Sequence, residues 1–356
     1  MTRRHQITIN GKAFRARSGE LLLDAALSNG IDLPHDCRSG HCGTCCVRLV
    51  QGDVEGGEGS EPSIVHACQC RVVADAVFES DKAPDVRAVD GLVSSLRPLS
   101  ADVIEVGIRT SRALPFHAGQ YTQIRFSGYP SRPYSFTLPL HSNPDGRSVW
   151  FHIRRMKGGR VSSSLGKRIK TGHRVQLTGP YGSAYFRNET RGRMVLVATN
   201  TGFAPIWSIA VAALRENPER RMMIIAGGRS VESLYMGPAL SRLAQFPNVL
   251  VVAACSAPEI VPGVMQGRPT DFLPRLLPSD VLYACGAPEM VNSVKSFAAH
   301  AGATCHADPF MPTIEGNTGA GVVSRVIGLL AAPIARQAKP SAFDHAGDRR
   351  EQILRA

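Results

Sequence analysis

Polar and apolar side chains alternate over Gln6–Asn10, the period of a half-buried strand, and a second short strand follows around Ala13–Arg17. Leu22, Leu23, Ala26 and Leu27 then recur at helical spacing, and Asn29-Gly30 supplies a C-terminal stop. The stretch from Ser80 to Val89, with Pro84 and alternating charges, reads as a linker. From Gly91 to Phe186 short strand patterns punctuated by Gly and Pro follow at even spacing: Val103–Arg109, Tyr121–Phe126, Arg132–Thr137, Val149–Ile153 and Arg174–Thr178. Such spacing predicts an antiparallel barrel, interrupted by one helical segment near Val161–Lys167. After Arg193 the period changes. Continuous apolar runs at Met194–Ala198, Met222–Ala226, Val249–Ala254 and Val281–Ala284 are each followed by a helical segment, which predicts a parallel α/β sheet with its site at the strands' carboxyl ends. The chain therefore divides into 1–82, a linker over 83–90, a barrel over 91–188, an α/β domain over 189–311 and a patternless tail over 312–356, a multidomain α+β and α/β protein.

Composition narrows the classes further. With 43% hydrophobic and 20% charged residues in 356, neither a disordered chain nor a fibre fits. The longest apolar run, Val326–Ala335, is about half of what a membrane span needs, and the N-terminal stretch has no signal-peptide core. A cytoplasmic protein is expected, and nine cysteines in a reducing compartment point to metal or redox chemistry rather than to disulfides. Charge is uneven. Residues 1–88 hold ten Lys and Arg against twelve Asp and Glu, and the remainder holds 31 against 17. A basic body behind an acidic head fits either solubility or the steering of an acidic partner, while the scattered basic residues carry no nucleic-acid motif.

Cys37, Cys42 and Cys45 follow the spacing C-x4-C-x2-C, and Cys68 stands 23 positions further on. This is the plant-type pattern for a [2Fe–2S] cluster. Gly40 and Gly43 explain themselves on that reading, because a loop wrapped around two irons must turn its N–H groups onto the sulfurs. Structural zinc on Cys42, Cys45 and two of His66, Cys68 and Cys70 is the competing set, and it leaves Cys37 idle. A c-type haem is a weaker reading still, because the sequence holds no C-x-x-C-H. Cys46, next to Cys45, faces the other way along a strand, and both Cys46 and Cys70 are expected to be small buried hydrophobes. The loop, with His66-Ala67-Cys68-Gln69, resembles the β-grasp ferredoxin domain that opens the reductases of bacterial ring-hydroxylating dioxygenases, of the benzoate and naphthalene dioxygenase type. Within that resemblance either Cys68 or Cys70 closes the cluster, and the Ala-Cys-Gln context favours Cys68.

Gly119-Gln120-Tyr121, Arg132-Pro133-Tyr134-Ser135 and Gly158-Gly159-Arg160-Val161-Ser162 form an ordered set that resembles the flavin site of the ferredoxin–NADP reductase superfamily. On chemistry alone, Tyr134 can cover a flavin face, Ser135 can bond its edge, and Arg132 offers a planar cation to pyrophosphate. Gly159, Val161 and Ser162 open a helical turn whose N–H groups suit the same phosphates. The order of domains implies FAD, with FMN the minority case. Thr199-Asn200-Thr201-Gly202-Phe203-Ala204-Pro205 matches the family's Gly-rich turn, with Thr201, Gly202 and Pro205 placed for a dinucleotide pyrophosphate. Asn200 stands where the family usually has glycine, and Asn tolerates the left-handed backbone. Arg229 suits a 2′-phosphate and Glu232 a free 2′-hydroxyl, so NADH and NADPH both stay open. By resemblance, Cys285 and Gly286 lie against the nicotinamide and Phe310 is a lid over the flavin.

The resemblance spans about residues 1–311. It implies an NAD(P)H-dependent iron–sulfur flavoprotein that splits electron pairs from NAD(P)H through flavin to a [2Fe–2S] cluster and on to a Rieske-type oxygenase or its ferredoxin, docked near the cluster. No side chain is nominated as a catalytic acid or base. The alternatives are the reductase of a soluble di-iron monooxygenase and a non-catalytic zinc-binding or redox-sensing protein on the same fold.

Overall fold

A computed structural model describes residues 3–31, 33–35, 38–40, 43–59, 63–80, 86–139, 146–188, 191–258 and 261–310. Cys37, Cys42, residues 83–85 of the expected linker and the 312–356 tail lie outside the described residues.

Three sheets follow one another along the chain. The first contains β1 (Arg4–Ile9), β2 (Lys12–Arg17), β3 (Cys46–Glu55), β4 (Ile64–His66) and β5 (Arg71–Glu79), with α1 (Leu22–Ser28) after β2. Its strand order is β2-β1-β5-β3-β4, and β1 runs parallel to β5. Leu22, Leu23, Ala25 and Ala26 of α1 lie against Ile7, Val47 and Phe78 of the sheet, so the periodic positions of the helix bury the apolar face of the strands. Asn29 caps α1 and Gly30 follows at φ +72°, the stop expected from that pair.

The second sheet closes into a barrel in the order β10-β7-β6-β11-β8-β9, from β6 (Arg87–Pro98), β7 (Val103–Thr110), β8 (Tyr121–Phe126), β9 (Arg132–Thr137), β10 (Ser148–Arg154) and β11 (Arg174–Tyr181). β6 begins at Arg87, so residues 87–90, expected in the linker, are strand: Val89 opposes Leu177 and its side chain fills the barrel. The helical segment expected near 161–167 is a single 3-10 turn over Ser162–Ser164. Val161 and Leu165 on either side of it are drawn into the barrel core, which leaves no length for a helix.

The third sheet is fully parallel in the order β15-β14-β13-β12-β16-β17. Its strands are β12 (Met194–Thr199), β13 (Met222–Gly228), β14 (Val249–Cys255), β15 (Val264–Gln266), β16 (Val281–Gly286) and β17 (Thr304–Pro309). The helices are α2 (Phe203–Glu216) after β12, α3 (Gly237–Leu243) after β13 and α4 (Pro288–His300) after β16. β12 is buried along its whole length, as a strand covered on both faces must be. β14 departs from the expected alternation, being followed by β15 and a 3-10 turn at Pro269–Phe272 rather than an α-helix.

Candidate functional site

The first candidate cluster builds on strand ends. Cys45 immediately precedes β3 and Cys68 lies between β4 and β5, and the backbone N–H of Ala67 donates to the Cys45 carbonyl at 3.1 Å. This ladder brings the two thiols within hydrogen-bonding reach of each other, and burial pushes the Cys45 thiol well above its ordinary range. Cys70 is fully buried against α1, the N–H of Leu22 donating to its carbonyl, and burial raises its thiol to about 12. Two sulfurs side by side suit a thiolate-bound iron or zinc centre; a sulfur wedged under a helix does not. Cys46 departs from expectation. It is half-buried, burial pushes its thiol up to about 12, and it hydrogen-bonds the hydroxyl of Ser183 beyond the end of the barrel.

That contact belongs to a junction the sequence did not reveal. The N–H of Gly182 donates to Thr44 Oγ1 at 2.9 Å. Gly43, at φ +67°, has Ser183 so close that a Cβ there would lie 2.1 Å from its hydroxyl. Arg187 donates to the carbonyls of Ser183 and Tyr185 at 3.0 Å each and to His306 Nδ1 on β17 at 3.3 Å. Its guanidinium lies 4.2 Å over the Tyr185 ring, which stacks on His117. Residues 182–187 thus touch the cysteine loop and the parallel sheet at once. No motif marks this segment, whose importance comes only from distance.

On the barrel, β9 carries Arg132, Tyr134 and Ser135 in one short strand. The Tyr134 ring packs partly on the barrel core, and burial raises its phenol above the ordinary range despite the nearby Arg132 cation. Ser162 accepts from the Met156 N–H at 3.1 Å, and a Cβ on Gly159 would meet that hydroxyl at 2.6 Å. The side chain of Val161 is in the core, so only its backbone is offered to a ligand.

At the carboxyl end of β12 the chain makes a 3-10 turn over Asn200–Gly202 and enters α2 at Phe203, two residues before Pro205. Asn200 adopts φ +51°, the left-handed backbone its side chain tolerates. A Cβ on Gly202 would lie 2.2 Å from the Cys285 carbonyl oxygen, so the turn and the end of β16 meet through a glycine that nothing larger can replace. Thr201 is half-buried beside it. Cys285 is fully buried, in register with Ala198 of β12 and Asp308 of β17, and burial holds its thiol far above the ordinary range. The N–H of Phe310 donates to the Gly286 carbonyl at 2.7 Å, which brings the expected aromatic lid to the same turn. Asp308 escaped the sequence reading although a carboxylate in so apolar a run was visible there; burial pushes it up to about 7. After β13, Arg229 and Glu232 are exposed, and a hydrogen bond from the Ser230 hydroxyl lowers the Glu232 carboxyl. A narrow cleft lined by Asn200, Gly227, Ser233 and Tyr235 joins this loop to the turn.

Comparison with known proteins follows the same three sheets. Residues 7–73 match the 2Fe-2S iron-sulfur cluster binding domain, 92–186 the oxidoreductase FAD-binding domain and 196–296 the oxidoreductase NAD-binding domain. The chain is 32% identical to the ferredoxin–NAD(P)+ reductase component of the naphthalene 1,2-dioxygenase/salicylate 5-hydroxylase systems of Ralstonia, over 84% of this chain and 96% of that one. It is 30% identical to the reductase component of the naphthalene 1,2-dioxygenase system of Pseudomonas putida, over 85% and 97%. The chain belongs to the family of dioxygenase reductase components. A solved cytochrome P450 reductase from Amycolatopsis shares its fold, with a TM-score of 0.64 and 27% identity over 86% of this chain and 99% of that one. As a dioxygenase-type reductase component, the chain is an oxidoreductase with a [2Fe–2S] domain, an FAD domain and an NAD(P)H domain, one to each sheet, the order read from the sequence. Among the described residues no helix is long and apolar enough to cross a membrane.

Proposed function

We propose that this reductase supplies electrons in the cytoplasm to a Rieske-type aromatic-ring oxygenase or to its ferredoxin. When bound, the flavin would accept an electron pair from NAD(P)H and, with the [2Fe–2S] cluster, release it one electron at a time. The protein contributes placement. Cys37, Cys42, Cys45 and Cys68 hold the cluster, and the adjacency of the Cys45 and Cys68 thiols supports Cys68 over Cys70 as the last ligand. Arg132, Gly159, Val161 and Ser162 receive the flavin's pyrophosphate through side chain and backbone N–H, while Tyr134 and Ser135 orient its ring. Thr201, Gly202 and Pro205 seat the dinucleotide at the start of α2. Cys285, Gly286 and Phe310 shape the nicotinamide end and shield it from water. Glu232, kept ionised by the Ser230 hydroxyl, accepts from a free ribose hydroxyl and favours NADH, with Arg229 beside it as the group that admits NADPH.

One observation carries this reading: the Thr44–Gly182 hydrogen bond seats the cysteine loop on the end of the barrel, so that cluster and flavin domains share a surface. Anaerobic reconstitution should yield about two irons per chain and one flavin, with cytochrome c reduced faster by NADH than by NADPH. A colourless product, or colour without reduction, would refute it. The Amycolatopsis neighbour is itself a cytochrome P450 reductase, which makes a P450 the second acceptor class to assay.

A further inference from the structure

His152 lies on the outer wall of the barrel. Its neighbours Phe151 and Ile153 point inward and fill the barrel core, so by the strand's period His152 points outward. It is nevertheless sealed, its side chain only 1% exposed. What covers it is Tyr235, 83 residues away, at the far end of the loop that follows β13. The Tyr235 hydroxyl and His152 Nδ1 are 3.1 Å apart, and the two rings meet edge to face at 85°.

The chemistry of the contact can be worked out from its surroundings. Glu105, the register partner of His152 on β7, places Oε2 3.7 Å from Nε2. A carboxylate on that side holds the ring proton on Nε2 and leaves Nδ1 as a bare acceptor, so Tyr235 donates. The other charges nearby, Asp102 and Arg154, are bonded to each other at 2.7 Å. Burial lowers the imidazole against the pull of Glu105, which keeps it neutral and accepting. Tyr235 also lines the cleft shared with Asn200, Gly227 and Ser233. The other end of that loop is held where the N–H of Ala257 donates to the Arg229 carbonyl at 2.8 Å, and within it the Ser233 hydroxyl donates to the Ser230 carbonyl at 2.6 Å. Arg229 and Glu232 are carried on that same short segment.

We propose that His152 is a positioning residue for the dinucleotide: by accepting the Tyr235 hydroxyl it fixes the loop 229–235, so the flavin barrel sets how tightly NAD(P)H is held. The proposal rests on the reading of that loop as the one that meets the adenosine ribose. It makes the hydrogen bond, rather than the packing of the ring, the quantity that matters.

ADP-ribose, which carries the ribose and pyrophosphate without the reactive ring, separates binding from turnover. In holoenzyme titrated by calorimetry, His152→Leu and Tyr235→Phe should each weaken ADP-ribose by about 3- to 10-fold, the worth of one neutral hydrogen bond. The double variant should be no weaker than either single one, because both remove the same bond. His152→Asn, whose Oδ1 takes the place of Nδ1, should stay within about 2-fold of the parent. The KM for NADH should rise in parallel, kcat should change less, and flavin and iron content should stay level. Wild-type affinity in His152→Leu, or equal losses in the Leu and Asn variants, would overturn the proposal in favour of mere packing. If His152→Leu does not fold, Tyr235→Phe, which deletes one oxygen, carries the test alone. Arg229→Ala and Glu232→Gln serve as the separate check: if neither alters ADP-ribose affinity or the NADH to NADPH ratio, the loop reading falls and takes the proposal with it, whereas a response there with a silent His152 condemns the proposal only.

Discussion

Cys45 and Cys285 are both sealed from solvent, and burial pushes both thiols above their ordinary range. They keep different company. Cys45 lies against a second sulfur, Cys68, beside a glycine loop that turns toward another domain. Cys285 lies against a carboxyl group, Asp308, in the middle of a parallel sheet, with its carbonyl pressed on the glycine of the neighbouring turn. A pair of adjacent thiols gains by losing protons to a shared metal, since the metal's charge replaces the solvation that burial removed. A thiol whose register neighbour is a carboxyl has no such escape and stays protonated, a compact apolar wall for the end of a ligand. The lesson is that depth alone does not assign a cysteine; its nearest polar neighbour does.

The largest effect should come from separating the sulfur pair. Cys68→Ser should abolish the cluster's visible absorption and its iron while flavin is retained, and Cys70→Ser should keep both. A cluster that survives Cys68→Ser and vanishes with Cys70→Ser would reverse the comparison. Next comes the wall around Cys285. Gly202→Ala drives a methyl into a strand carbonyl that cannot turn aside, and should cost about 3 kcal/mol of stability with loss of dinucleotide binding, read by denaturant melts and ADP-ribose titration. The smallest effect concerns Asp308. Its folded-state pKa is raised to about 7 by burial, so the folded protein holds a proton that the unfolded chain gives up near pH 4. The stability tied to it is therefore present at low pH and drains away as pH rises from about 4 to about 7. Asp308→Asn should remove that slope, so that the variant's melting temperature no longer falls as pH rises from about 4 to about 7. A parent with no such slope would mean the carboxyl is solvated.

Much of the architecture was legible because it is written in local periods. The boundaries of β8 and β9 fall where the alternation of Tyr121–Phe126 and Arg132–Thr137 predicted them. Asn200 occupies the left-handed backbone that its amide side chain allows. Two expectations failed for one physical reason. Local pattern makes Arg87–Asp90 part of a linker and Val161–Lys167 a helix, yet in both places a valine, Val89 or Val161, is drawn into the barrel core, and tertiary burial overrides weak local preference.

Sequence alone determined the order of the iron–sulfur, flavin and nicotinamide domains along the chain. Thiol spacing, a paired arginine and tyrosine on a strand, and a glycine turn before a helix are each short enough for chain connectivity to enforce. Only the folded molecule decided which sulfur stands beside Cys45, why Gly43 must yield to Ser183, and that an outward histidine of the barrel meets Tyr235 across 83 residues of chain. Those partners are joined by closure of the sheets upon one another, and no periodicity along a chain encodes the distance between two surfaces that meet only after each has folded.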